Sequence, residues 1–158
     1  MIIIIYFICL IVFGLSQSQI VLDQNQLSEW TDNYASATSI VLEYKDISFI
    51  DTATFAGLTN LQSLVLHWNK LTFIDSLTFK DLINLKSLNI GGNQLISLNS
   101  QIFKYVKSLT YLGIGTTLIS NLDSGLFDSL TNLHRINKAS NCLLRCKTNQ
   151  HYTAEFCY

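Results

Sequence analysis

Residues 61–84, LQSLVLHWNKLTFIDSLTFKDLIN, and residues 85–108, LKSLNIGGNQLISLNSQIFKYVKS, are one 24-residue pattern written twice in succession. Both open as LxxLxLxxNxL, supplied by Leu61, Leu64, Leu66, Asn69 and Leu71 in the first and by Leu85, Leu88, Ile90, Asn93 and Leu95 in the second. Each continues with Ile74 or Leu98, then Phe79 or Phe103, then Leu82 or Val106. The period extends both ways without a gap. Upstream it falls on Ile40, Leu42, Ile47, Ile50, Phe55 and Leu58; downstream it falls on Leu109, Leu112, Ile114, Ile119, Leu122, Phe127 and Leu130. A fifth start at Leu133, Ile136 and Asn141 breaks off into cysteines, leaving four full repeats and a partial fifth in one register.

The spacing has a physical meaning. Two leucines at i and i+2 point to one face of a short strand, and the residues between them point to the other. No single repeat can bury that pair, so neighbours must stack, joining the strands into a parallel sheet and the leucines into one core. The asparagine at the ninth position stands where the chain leaves the strand, and its side chain can satisfy backbone groups that the turn would bury unpaired. Lys45 and Thr117 replace it in two repeats, which are expected to lose those bonds. The column Phe55, Phe79, Phe103, Phe127 is expected to fill the far side of the coil, each ring contributing about 2 to 3 kcal/mol. The segments carrying these rings, such as DSLTFKDLIN, are expected to hold little regular helix.

Of the 158 residues 49% are hydrophobic, enough for one substantial core, and nothing points to a second domain. The net charge is -1, so there is no basic footprint for nucleic acid and no polybasic membrane patch. With no proline and seven glycines, there is no linker of the usual kind.

The chain opens on MIIIIYFICLIVFGL followed by Ser16, Gln17 and Ser18. That run has the length of a secretory h-region and is shorter than the roughly 18 to 20 residues that span a bilayer. Residues 1–18, with Cys9, read as a signal peptide; a first buried element and an uncleaved anchor are the alternatives. No later segment is apolar enough for a span or a lipid-anchor tail, so the product is expected to be secreted. There is no Asn-x-Ser/Thr sequon, so no N-linked glycan is expected to shield either face. Residues 19–36 must cover the open end of the leucine core. Leu27, Trp30 and Tyr34 fall on one face of a helix, and Asp23 with Gln26 has capping-box spacing, so a short capping helix is expected there.

Outward strand positions form columns across the sheet. One is Ser39, Ser63, Ser87, Tyr111, Arg135; the next is Val41, Val65, Asn89, Gly113, Asn137. The third is Glu43, His67, Gly91, Gly115, Ala139, and beside it runs Tyr44, Trp68, Gly92, Thr116, Ser140. Glu43, Tyr44, His67 and Trp68 cluster at one end, glycines empty the middle, and Tyr111 and Arg135 lie beyond. Exposed aromatics and arginine beside a shallow floor are what a protein-binding hot spot needs. The plainer alternatives are that Trp68 and Tyr44 merely pack on each other, and that the glycines mark an unconstrained surface. Glu43, His67 and Ser63 can be drawn as a catalytic triad, but no activated-nucleophile motif, oxyanion donors or enclosed pocket accompany them, so no enzyme is expected. Cys142, Cys146, His151 and Cys157 could hold zinc; a secreted chain meets an oxidising compartment, which favours disulfides, and no metal or other cofactor is expected.

The repeats, with their LxxLxLxxNxL core and convex Phe, resemble the extracellular leucine-rich repeat proteins: Toll-like receptors, Slit-type ligands and variable lymphocyte receptors. The resemblance covers 37–141. It implies an α/β fold, a right-handed solenoid with the parallel sheet on the concave face and a cap at each end. Such proteins usually begin with a cysteine-bridged cap, and this chain has no cysteine between Cys9 and Cys142. Residues 142–158 look like a partial form of the family's C-terminal cap of four cysteines, paired first with third and second with fourth. By that analogy Cys142 pairs with Cys157 and Cys146 is left over. An odd count fits a shortened cap, a disulfide-linked homodimer through Cys146, or a truncated piece of a larger leucine-rich repeat receptor. The function implied is a secreted, non-enzymatic module that binds a protein partner on its concave face through Glu43, Tyr44, His67, Trp68, Tyr111 and Arg135. A structural protein that assembles through the odd cysteine is the alternative.

Overall fold

Every 24 residues the chain lays down a three-residue strand whose middle residue is buried and whose flanking residues face outward. The computed structural model describes residues 19–120, 122, 125–138 and 153–155. The strands are β1 (Ile20–Leu22), β2 (Ser39–Val41), β3 (Ile47–Ile50), β4 (Ser63–Val65), β5 (Ser87–Asn89), β6 (Tyr111–Gly113), β7 (Arg135–Asn137) and β8 (Thr153–Glu155). Six of them form one parallel sheet in the order β2-β4-β5-β6-β7-β8. Its register is that of the repeat: Ser39, Ser63, Ser87, Tyr111 and Arg135 are successive partners, as are Val41, Val65, Asn89, Gly113 and Asn137. β8 then pairs with β7. The result is a parallel-sheet solenoid of about five turns.

Ile40, Leu64, Leu88, Leu112 and Ile136 are buried beneath the sheet, with Leu42, Leu66, Ile90 and Ile114 beside them. The phenylalanine column closes the other side of this core. Phe55 and Phe79 stack with centroids 6.4 Å apart, and Phe103 and Phe127 with centroids 6.3 Å apart. The segments that carry the rings run as turns with no helix, as the sequence predicts.

The ninth-position asparagines are buried and stitch neighbouring turns together. Asn69 Oδ1 accepts from the Lys45 and Ile47 amides, and its Nδ2 donates to the Leu42 and Leu66 carbonyls. Asn93 does the same one turn on, accepting from Leu71 N and donating to the carbonyls of Leu66, Ile90 and Gly91. The expected loss at Thr117 is only partial. Its hydroxyl donates to Ile114 O at 3.1 Å, the counterpart of the Asn69–Leu66 and Asn93–Ile90 bonds.

The N-terminal end is closed by a strand and a helix. Helix α1 (Gln24–Trp30) starts at Asp23, whose Oδ1 accepts from Gln26 N at 2.8 Å. The box is half formed, because Gln26 Nε2 donates to Glu29 instead of reaching back. Leu27 is fully buried under the helix. The helix ends at Trp30, earlier than the Leu27-Trp30-Tyr34 spacing suggests. Asn33 takes a left-handed conformation (φ 51°), so Tyr34 packs on the core from a separate 3₁₀ turn, Tyr34–Ser36. β1 pairs in parallel with β3, and its Leu22 carbonyl accepts from both Asp51 N and the Thr54 hydroxyl. Backbone pairing thus fastens this end of the solenoid, in a stretch that holds no cysteine. The apolar run 1–18 and the residues Cys142, Cys146, His151 and Cys157 lie outside the described residues.

Candidate partner-binding face

The outward residues of the first two turns meet at the rim where the strands end. The sheet's hydrogen bonding continues past β4 and β5: Trp68 N donates to Gly91 O at 3.1 Å and Gly92 N to Gly115 O at 2.8 Å. At this eighth position the backbone then turns through the left-handed region in each of the four full repeats, with φ of 55° at Tyr44, 56° at Trp68, 64° at Gly92 and 54° at Thr116. That shared turn sets Tyr44 beside Trp68, and Trp68 over Gly92, along the solenoid axis.

Tyr44 and Trp68 consequently stack, with centroids 6.2 Å apart and planes 10° from parallel. His67 meets both rings, Tyr44 edge-on at 5.8 Å and Trp68 at 5.7 Å. Its Nδ1 lies 3.1 Å from Glu43 Oε2. Four of the residues singled out from the sequence, Glu43, Tyr44, His67 and Trp68, are therefore one contiguous cluster. It stays open to solvent: Tyr44 is 68% exposed and Trp68 43%. For an aromatic pair that makes its own contacts, this is a large remaining area.

Tyr111 and Arg135 do not join it. They sit on β6 and β7 in a different column, two and three strands from β4, which at the usual spacing is about 10 and 14 Å away. Tyr111 lies along its own strand, its hydroxyl 3.3 Å from where a Cβ on Gly113 would stand. Arg135 is exposed.

The glycines are not the empty floor that the sequence suggests. A Cβ on Gly92 would meet Trp68 Cδ2 at 2.8 Å and Cε3 at 2.9 Å, so the indole rests directly on that backbone. A Cβ on Gly113 would meet Asn89 Oδ1 at 2.5 Å, and one on Gly91 would meet Gly115 O at 2.8 Å. Asn89 fills this space and accepts from Gly91 N at 3.1 Å. Gly92 and Asn89 are thus the parts of the face that sequence reasoning missed. The available signal was the period itself, since Gly92 stands one repeat from Trp68 and Asn89 one repeat from Gly113.

The triad that Glu43, His67 and Ser63 could form is not assembled. Among the described residues Ser63 makes no hydrogen bond to His67, and the His67–Glu43 pair lies open on the rim. No group of His, Cys, Asp and Glu among the described residues is placed to hold a metal. A cleft of about 300 Å³ lies instead between the convex turns, lined by Ser100, Gln101, Lys104, Gly125, Asp128 and Ser129. It is remote from the aromatic rim, and Ser129 already donates to Phe103 O. No described helix is long and apolar enough to cross a membrane.

The leucine rich repeat family matches residues 35–95 of this chain. Among solved structures, the APL1 leucine-rich repeat domain superposes with a TM-score of 0.70 at 23% identity, over 79% of this chain and 32% of that one. The LRIM1/APL1C complex gives 0.67 at 23% identity, over 73% and 21% of the two chains. TLR13 in its complex with ssRNA13 gives 0.63 at 28% identity, over 77% and 17%. The chain therefore spans a third or less of the length of each of these. No curated protein sequence matches it.

Proposed function

The chain is a leucine-rich repeat protein, and from that premise we propose that it is a secreted recognition module that grips a protein partner at the concave rim of its first two repeats. The observation that carries this reading is the exposed Tyr44–Trp68 stack, braced by His67 and flanked by Glu43. Rigid aromatics offer large contact area with little rotamer entropy to lose, and hot spots are rich in them. The turn at the eighth position and the Gly92 backbone hold the indole in place before any partner arrives, which lowers the ordering cost of binding. Binding is by shape and contact, with no reaction. Tyr111 and Arg135 extend the footprint along the sheet for a partner long enough to reach them.

Leucine-rich repeat domains commonly mediate protein–protein contacts, and LRIM1 with APL1C is a complex of proteins sharing this fold. Nucleic acid, which TLR13 holds in its complex, fits this chain less well. The net charge is -1, and the cluster presents a carboxylate where phosphate would need a cation. Secretion follows from the apolar run at 1–18, read as a signal peptide. Pairing of Cys142 with Cys157, and a homodimer through Cys146, remain parts of the proposal to be read by non-reducing electrophoresis.

The test is capture of a partner from extracellular fluid by the full chain, followed by affinity measurement against Trp68→Ala. The expected loss is about 2 kcal/mol or more. An unchanged affinity moves the site elsewhere on the solenoid.

A further inference from the structure

We propose that the rim cluster is built to receive an arginine side chain of the partner, seated on the outer face of Tyr44 and paired with Glu43. This rests on the reading of the rim as the partner site and adds the chemistry of what enters it.

The stack has a direction. Trp68 has Gly92 beneath one side and Tyr44 against the other, so the aromatic face left open is that of Tyr44, which points away from the solenoid's middle. Beside it stands Glu43, whose side chain is 44% exposed. Oε2 of that carboxylate is engaged by His67 Nδ1, which fixes its position, while Oε1 has no hydrogen-bond partner among the described residues. An aromatic face with an anchored carboxylate at its edge is complementary to a cation, through the ring quadrupole and through charge.

Among the described residues, the two lysines next to the cluster in sequence do not fill this place. Lys45 Nζ lies 5.2 Å over the Trp30 ring, and Lys70 Nζ is 3.0 Å from Asp46 Oδ1. Both are committed elsewhere, so the cluster's negative charge is left for a visitor. A guanidinium fits better than an ammonium. It is planar and weakly hydrated, so it can lie flat on Tyr44 while an edge N–H reaches Glu43 Oε1.

The experiment is an NMR titration of the full chain with N-acetyl-arginine methylamide and, as a neutral shape match, N-acetyl-citrulline methylamide. Saturable shifts of Tyr44 ring and Trp68 indole signals with the arginine compound, and weaker ones with citrulline, are expected. Glu43→Gln is expected to weaken the arginine compound by roughly threefold to tenfold, and Tyr44→Leu, which keeps the carboxylate, to weaken it by at least as much, read at the Trp68 indole and His67 ring signals. Equal responses to arginine and citrulline, indifference to Glu43→Gln, or shifts that miss the cluster would each overturn the inference. If Trp68→Ala abolishes partner capture while arginine and citrulline are indistinguishable, the rim is the partner site and the cation is not what it selects. If arginine is selected but capture ignores Trp68, the seat is real and the partner docks elsewhere.

Discussion

The first two repeats and the next two share a backbone and differ in what they place on it. At the eighth position all four turn through the same left-handed conformation, yet the occupants are Tyr44 and Trp68 in one half and Gly92 and Thr116 in the other. A non-glycine residue there gives up about 1 kcal/mol or more. In the first half the side chains return part of that by stacking, and they build a raised, exposed rim. In the second half the concave surface is low: Gly92 serves as the seat for Trp68, and Asn89 covers Gly113. The lesson is that a glycine in such a column can be read only together with its neighbour one repeat away. The rim exists because Gly92 lacks a side chain.

The largest expected effect separates the halves through the asparagine column. Asn93→Ala removes four hydrogen bonds from a buried site, leaving Leu71 N and Ile90 O unpaired while Leu66 O and Gly91 O keep Asn69 and Trp68 N, and is expected to destabilise the fold by on the order of 3 kcal/mol in urea denaturation. Thr117→Ala, at the equivalent position one repeat on, is expected to cost about 1 kcal/mol. Equal losses at the two sites would show that the column is not what holds the turns together.

Next comes Gly92→Ala. Its left-handed φ and the indole 2.8 Å away make the added methyl strained and obstructed, so a loss of about 1 to 2 kcal/mol is expected, together with a changed near-ultraviolet signal from Trp68. Unaltered stability and spectrum would mean the indole does not rest on this backbone. The reverse change, Trp68→Gly, should leave stability within about 1 kcal/mol, because relief of the turn offsets lost stacking.

The smallest pair of effects is opposite in sign. Thr54 donates its hydroxyl to Leu22 O of β1, whereas Thr78, one repeat on and equally buried, has no β1 beside it and its Oγ1 has no partner. Thr54→Val is expected to lower stability by about 1 kcal/mol and Thr78→Val to raise it by a similar amount. The same sign at both sites would contradict the placement of β1.

Much of this molecule was legible in the sequence because the repeat is a one-dimensional code. Position in the period told which residue enters the core, and the strand register followed from it without adjustment. The aromatic rim was legible for the same reason, since Glu43, Tyr44, His67 and Trp68 are neighbours in adjoining columns. What escaped depends on relations outside the period. β1 pairs with β3 across 27 residues, a contact that the short apolar triplet Ile20–Leu22 does not announce. Gly92 looked vacant because its function lies in the space it leaves for Trp68. The asparagines and serine ending each repeat also went unread: Asn84, Ser108 and Asn132 donate to Thr59, Ile83 and Lys107 carbonyls one turn back, closing the side of the coil away from the rim.

The central claim is that a partner is held at the rim of the first two repeats and not further along the same column. The most direct measurement places a photo-reactive benzoylphenylalanine at position 44 in one version of the full chain and at position 116 in another, with irradiation in the presence of the captured partner. The account predicts a covalent adduct from position 44 and none from position 116. An adduct from 116 with none from 44 would contradict it.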